Sequence, residues 1–278
     1  MSRFETDYCN LVSHVITHGE HRPSRAGFTV GLFGAVIRID CLEQGRFPIL
    51  TQRKIFPLGV LGELDAFLQG ATDLQEFKDA GCNYWDANAA AWSRNHELPT
   101  SEQTVGRIYG AQWRAWTSEQ GTVDQIERLV RSLQQEPYSR RHLLTTYNPA
   151  ELDDMCLPPC HLLAQFNVRT TKQLDCIVTM RSVDLCLGLP SDIILYATLM
   201  LILCNETGYT PGKLTFMLGD THVYRDHIDV FQEHANRPMH ALPTFKLKAS
   251  ASIDNFVSSD LVLIDYNHSG VLNYEFHA

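Results

Sequence analysis

The chain is short of most features that settle a protein's class early. It has no long apolar run: the most apolar stretch, Ile193 to Cys204, is 12 residues, against the roughly 20 that a bilayer-spanning helix needs. The first ten residues, MSRFETDYCN, hold two acids and no apolar signal core, so no secretory leader is expected. These absences point to a soluble, cytoplasmic protein with no membrane partner. Cysteine is sparse, with 8 in 278 residues, too few for a disulfide scaffold. No paired CxxC motif suggests structural zinc, and Cys156-x3-Cys160-His161 lacks a second ligand cluster, so no metal is expected. There is no GxGxxG or P-loop sequence, no linker and no repeat, and one domain over residues 1–278 is the simplest organisation. Basic residues are outnumbered, 23 Lys and Arg against 32 Asp and Glu. That balance excludes a surface built mainly to coat nucleic acid, while a local basic pocket stays open.

What is present reads as an ordinary folded core. Phe4, Tyr8, Leu11, Val12, Val15 and Ile16 recur at helical spacing before Gly19, which predicts an amphipathic helix over 3–18. Residues 57–69 read as a buried helix stopped by Gly70, and 123–135 as a second amphipathic helix. Residues 84–110, rich in small and polar side chains, read as loops and short turns. β-rich segments lie at 29–41, 142–147, 161–169, 174–181, 214–218, 245–247 and 261–266. Ser191 is a candidate N-cap for a helix over 192–207, with Gly208 as its stop. Helices and strands are intermixed without strict βαβ alternation. The pattern predicts an α+β or mixed-sheet α/β fold rather than a Rossmann fold or a barrel.

Three segments carry chemistry. Pro158-Pro159-Cys160-His161 opens a strand, where the backbone before proline is restrained. A thiol there becomes a nucleophile if cations lower its pKa, and Arg181, Arg140 and Arg141 are available. The alternative is a buried structural cysteine. In residues 180–199, Arg181 and Ser182 suit a phosphate, and Gly188 permits close approach of a ligand. Asp192 near the helix start is, from helix logic alone, better accounted for as a first-turn acid favoured by the helix dipole. In GDTHVYRDH, residues 219–227, His222 and Tyr224 alternate and would share one strand face, able to grip a sugar hydroxyl or to serve structure alone.

The order and company of these segments are more specific than any one of them. PCH, then RSxDxxLGLPxxI, then GDxHxYxxH, resembles the thymidylate synthase superfamily. SRAG at 24–27, FPILTQRK at 47–54, GELDAFLQG at 62–70, RIYGAQWRAW at 107–116 and SRRHLL at 139–144 extend the resemblance in collinear order from about residue 4 to about 230. It implies a large mixed β-sheet covered by helices, with sheets packed face to face in a homodimer that shares its active sites. It implies a nucleotide substrate and 5,10-methylenetetrahydrofolate as co-substrate. By this resemblance Cys160 is the nucleophile that adds to C6 of a pyrimidine, with Glu63 and Tyr109 organising proton transfers and Arg181 favouring the thiolate. Arg25, Arg181 and Ser182 would hold the 5′-phosphate, with Arg140 and Arg141 supplied by the partner subunit. His222 and Tyr224 would hold the sugar, and Gln165, Asp184, Gly188 and Asp192 would complete the substrate set. Arg53, Trp85, Asp184, Leu187, Gly188 and Ser191 would meet the folate.

The chain departs from the family pattern at several of these places. The family's LGLPFNI is LGLPSDI here, with Asp192 at the base-reading Asn. An amide complements uracil's N3–H and O4. A neutral carboxyl could instead donate to N3 of cytosine and accept from its amino group, and an ionised one could pair with N3-protonated cytosine. Ser191 for Phe, Asn88 for a second Trp, Arg53 for Lys and a Tyr-Glu-Phe-His-Ala terminus suggest a more polar folate site. Together these departures predict a deoxycytidylate hydroxymethylase, in which water captures the transferred carbon, a role suited to a phage that modifies its DNA. Reductive methylation of dCMP, a dUMP-using synthase, dUMP or CMP hydroxymethylation and a silent nucleotide-binding homologue are the alternatives.

Overall fold

The computed structural model describes residues 3–24, 27–96 and 103–277. Helix α1 (Arg3–His18) leads into strands β1 (Glu20–Ser24) and β2 (Gly27–Ile39). Four helices follow: α2 (Pro57–Gln69), α3 (Leu74–Asp79), α4 (Asp86–Asn95) and α5 (Tyr109–Ala115). A short hairpin of β3 (Trp116–Ser118) and β4 (Gly121–Val123) precedes α6 (Gln125–Gln135). Then come β5 (Leu143–Thr145), β6 (His161–Val168), β7 (Gln173–Asp184), α7 (Gly188–Thr207) and β8 (Thr210–Tyr224). The chain ends through α8 (His227–Asn236), β9 (Thr244–Leu247), β10 (Leu261–Ile264) and an irregular tail.

Six strands form one sheet in the order β1-β2-β8-β7-β6-β5. Only β7 and β8 are parallel, joined through α7, and the other neighbours are antiparallel, which makes the sheet mixed as the sequence pattern predicts. Its inner face carries Ile37, Ile39, Ala164, Phe166, Val178, Met180, Leu214, Phe216 and Leu218, all buried. Helix α7 lies in that core. It is 20 residues long and apolar enough to cross a membrane by length and composition. Its run from Ile193 to Cys204 is buried on every side, as expected of a helix that is apolar all round inside a protein.

Two sequence expectations are corrected here. Residues 84–110 are not all loop, since α4 occupies Asp86–Asn95. That helix buries only Ala89, so it has no apolar period to detect, and its alanines favour helix without one. Ser191 is not an N-cap. Helix α7 starts at Gly188, and the Ser191 hydroxyl donates back to the Leu187 carbonyl at 3.0 Å. The stop is as predicted, with Gly208 left-handed at φ 75°.

Two devices position the cavity walls. Glu5, fully buried on α1, accepts from Thr51 N at 2.5 Å, Thr51 Oγ1 at 2.6 Å and Gln52 N at 3.1 Å. These bonds pin the segment that presents Arg53. On α2, a Cβ at Gly62 would lie 2.2 Å from the Ala80 carbonyl oxygen. Only glycine allows the close approach that sets the adjacent Glu63.

Candidate active site

A cavity of about 990 Å³ opens where the C-terminal ends of β7 and β8 meet the start of α7. It brings together Arg53, Glu63, Trp85, Tyr109, Cys160, Arg181, Ser182, Asp184, Leu187, Gly188, Ser191, Asp192, His222 and Tyr224. Arg140 and Arg141 are exposed and do not line it. Gln165 sits exposed on β6, paired with Ile177 and Leu143 on the outward face of the sheet. Arg25 lies outside the described residues.

The thiol of Cys160 stands at the mouth of β6. Its backbone N–H donates to the Tyr109 hydroxyl at 2.7 Å. Arg181 clasps the turn before it, Nε donating to the Pro159 carbonyl at 2.8 Å and an NH2 to that of Pro158 at 2.5 Å. The PPC sequence therefore matters through its carbonyls as well as its stiffness. Burial raises the Cys160 pKa above that of a free thiol, and a negative Asp192 adds to it. The Arg181 charge and the hydrogen bond to Tyr109 oppose the rise.

Glu63 faces the thiol across the cavity from α2. Its Oε1 accepts the indole N–H of Trp85 at 2.8 Å, so the carboxyl and the aromatic wall are fixed together. Burial pushes Glu63 up to about 7, with Asp192 raising it further while His161 and the Trp85 bond pull it down. A carboxyl poised there can give or take a proton near neutral pH.

Asp192, on the first turns of α7, accepts from or donates to His161 Nε2 at 2.7 Å through Oδ1. Its Oδ2 lies 3.9 Å from where a Cβ on Gly188 would sit. Asp184 accepts from Cys186 N at 2.8 Å and Leu187 N at 3.2 Å, shaping the turn into α7. Burial disfavours charge on the nearby His227, but Asp184, the Glu275 carbonyl and Asp226 together outweigh it and the imidazole pKa rises. His222 and Tyr224 share a face of β8 as their alternation predicts, rings 5.4 Å apart at 88°, and His222 Nδ1 lies 3.1 Å from Asp220.

The C-terminal segment, whose Tyr-Glu-Phe-His-Ala end the sequence reading sets at the folate site, forms a further wall. Val271, Leu272, Asn273, Tyr274, Phe276 and His277 all line the cavity. Tyr274 takes the Arg53 guanidinium over its ring at 4.7 Å, and His277 stacks on Tyr224 at 4.0 Å while bonding Asp226 at 2.9 Å. Arg53 itself donates to the Cys186 carbonyl. No periodicity marks this tail, and only the family resemblance points to its place at the cavity.

The family model for thymidylate synthase matches residues 6–278. The bifunctional dihydrofolate reductase-thymidylate synthase of Leishmania major is 37% identical over 277 residues, covering 94% of this chain and 53% of that protein. The chain thus spans about half the length of the bifunctional relatives it matches. Thymidylate synthase 1/2 of Encephalitozoon cuniculi is 36% identical, covering 95% and 94%. The thymidylate synthase of Saccharomyces cerevisiae is 34% identical, covering 95% and 93%.

These relatives overturn the expectation of a phage-type deoxycytidylate hydroxymethylase, since all are named as thymidylate synthases. The geometry removes supports of that expectation too. The Ser191 hydroxyl is spent on Leu187, and the cavity that Asn88 lines also carries Trp85, Phe67, Tyr109, Leu272 and Tyr274, so polar groups there stand beside aromatic and aliphatic ones. A neutral carboxyl has one donor and one acceptor, the pattern of an amide, so Asp192 does not exclude uracil.

Proposed function

Because the chain belongs to the thymidylate synthase family, we propose that it methylates C5 of deoxyuridylate reductively, yielding thymidylate and dihydrofolate. The observation that carries this reading is the convergence of Cys160, Glu63, Tyr109 and Arg181 on one cavity of nucleotide-plus-cofactor size. Cys160 is the nucleophile. Its sulfur bonds to C6, the C5=C6 double bond opens, and C5 becomes enamine-like and able to attack an electrophilic carbon. Arg181 opposes the burial that would keep the thiol protonated. Glu63 moves the proton that O4 gains and loses, and Tyr109 holds the thiol turn and offers its hydroxyl to the proton leaving C5. Arg181 and Ser182 face the phosphate, and His222 and Tyr224 the sugar.

The cavity fits methylenetetrahydrofolate. Gly188 and Leu187 line it, and Trp85 and Tyr274 offer flat aromatic walls. Arg53 Nε is buried without a partner. The folate supplies the one-carbon unit and the hydride. Trp85 and Tyr274 keep bulk water from the transferred carbon, which favours hydride over water capture.

We further propose a homodimer built on the outward face of the sheet. On that sheet Phe33 is 85% exposed and Val36, Met217, Ile177 and Leu143 are exposed too, Val36 directly paired with Met217, apolar surface of the kind that marks an interface. Arg140 and Arg141, exposed beyond β5's start, would reach the partner's phosphate site. Mass analysis of products from dUMP and methylenetetrahydrofolate tests the reaction. Thymidylate with equimolar dihydrofolate, lost in Cys160→Ser together with tritium release from C5, is expected. A hydroxymethyl product, or turnover of dCMP in place of dUMP, would overturn it.

A further inference from the structure

A second cluster of donors lies behind the cavity wall, and the reaction outlined above uses none of its chemistry. Asp184 ends β7, Cys186 follows in the turn into α7, and His227 opens α8. Their ligand atoms, a carboxylate oxygen, a sulfur and a ring nitrogen, all lie within 4.8 Å of one another. Cys186 and His227 are buried, at 0% and 1% exposed, while Asp184 reaches the cavity.

The imidazole shows that the cluster lacks a partner. Its Nε2 meets the Glu275 carbonyl at 2.7 Å. A carbonyl only accepts, so Nε2 carries the hydrogen. Nδ1 is buried with no hydrogen-bond partner. It faces Asp184 Oδ1 at 3.8 Å, beyond hydrogen-bond reach. In the neutral ring Nδ1 therefore holds a lone pair aimed into the cluster.

The outer contacts are those of metal ligands. A ligating histidine donates its other N–H to a carbonyl or carboxylate, as Nε2 does here. A ligating carboxylate is itself held by hydrogen bonds, and Asp184 accepts from Cys186 N at 2.8 Å and Leu187 N at 3.2 Å. Thiolate, imidazole and carboxylate form a zinc donor set. Tetrahedral bonds of about 2.0–2.3 Å place donors roughly 3.3–3.6 Å apart, so the widest separation has to close by about 1 Å, which small side-chain rotations supply. Asp184 and Asp226 already favour positive charge on His227, and a cation would supply that charge in place of a proton. Arg53 is the opposing group, since its guanidinium holds the Cys186 carbonyl. A thiolate and Asp184 together neutralise a divalent ion, which leaves Arg53 facing no net charge.

We propose that Asp184, Cys186 and His227 form a binding site for a thiophilic divalent cation of the zinc type, with its fourth position open to water from the cavity. The Cys186 thiol releases its proton as the sulfur bonds the metal. Occupation takes Asp184 out of the folate pocket, so the cation opposes methylenetetrahydrofolate and not dUMP. That competition rests on the reaction reading; the cation site does not.

The test is a Co²⁺ titration of the full chain carrying Cys160→Ser, which removes the reactive cavity thiol, in a reductant that holds no thiol. Co²⁺ should bind once per chain and raise a thiolate-to-cobalt charge-transfer band, and Zn²⁺ should displace it. Cys186→Ser should abolish the band and weaken Zn²⁺ binding at least about a hundredfold, since even outer contacts of a metal ligand are worth roughly 10–100-fold. His227→Gln keeps a donor for Glu275 but loses the ring lone pair, so it should weaken binding as much, and it decides the matter if Cys186→Ser fails to fold. His277→Ala should leave binding intact, which separates this cluster from the neighbouring Asp226, His227 and His277 group. No band in the starting protein, a band that survives both Cys186→Ser and His227→Gln, or one lost in His277→Ala would overturn the proposal. By calorimetry on the same Cys160→Ser chain, saturating Zn²⁺ should weaken methylenetetrahydrofolate binding about tenfold or more and change dUMP binding less than about twofold. Equal weakening of both ligands would overturn the competition. A cobalt band in a chain that binds neither ligand would sink the reaction reading and leave the cation site standing.

Discussion

The two faces of the six-stranded sheet differ in how far a single chain finishes them. On β8, Phe216 is fully buried against Tyr196 of α7 at 6.0 Å between rings, while its neighbour Met217 is 46% exposed on the other side. On β2 the same alternation separates buried Ile37 from exposed Val36. Val36 and Met217 are register partners, and Met217 pairs onward with Thr179 of β7. Strand alternation alone makes one face apolar and the other polar in a protein that works as a monomer. Here both are apolar at their centres, which teaches that the outward face is built for burial the chain does not itself provide.

The comparison breaks most sharply at adjacent residues. Phe216→Ala should destabilise the protein by about 3–5 kcal/mol, the range for emptying an aromatic site in a packed core. Denaturation at fixed protein concentration measures it. Met217→Glu should leave the fold intact but convert a dimer to monomer in sedimentation. Its activity should fall about a hundredfold, since two charge-assisted contacts to phosphate of about 1.5 kcal/mol each would be lost with the partner's arginines. A monomeric Met217→Glu with full activity would mean that no partner residue enters the site. If the unmodified chain is itself a monomer, the outward face has another purpose.

Much of the inner face could be read from sequence, because burial on a regular element leaves a period. Phe4 to Val15 on α1 and the pure apolar run of α7 fall where the pattern predicts. The motif residues Cys160, Arg181, Asp184, His222 and Tyr224 all line one cavity. What sequence could not show is pairing across the chain. His161 and Asp192 are 31 residues apart, and nothing local announces their hydrogen bond. The sequence reading matches Asp192 to cytosine from its place in LGLPSDI, where nothing local shows its hydrogen bond to His161. The sequence reading sets the Tyr-Glu-Phe-His-Ala end at the folate site but shows none of the contacts that hold the tail at 271–277. It has no secondary structure, and its side chains and the Glu275 carbonyl are held by Arg53, Tyr224, Asp226 and His227, residues contributed by distant segments.

The inner side has its own exception, at the cavity end, where burial opposes stability. Glu63 is held at about 7 mainly by burial, above the 4.5 of a free glutamate. A carboxyl raised in this way binds its proton more tightly in the folded state. Its contribution to stability is full below about 4.5 and is lost as pH rises through about 7. Above that pH the folded protein carries a half-buried charge beside Asp192, whereas a glutamine does not ionise and can still accept the Trp85 N–H. Glu63→Gln should therefore be more stable than the unmodified chain at pH ~8, by roughly 1–3 kcal/mol. The gap should close towards pH ~4.5, even as catalysis is lost. Urea midpoints at the two pH values measure it. A gap that does not change with pH would mean that Glu63 acts on the fold through packing alone, and that the cavity end does not differ electrostatically from the rest of the inner face.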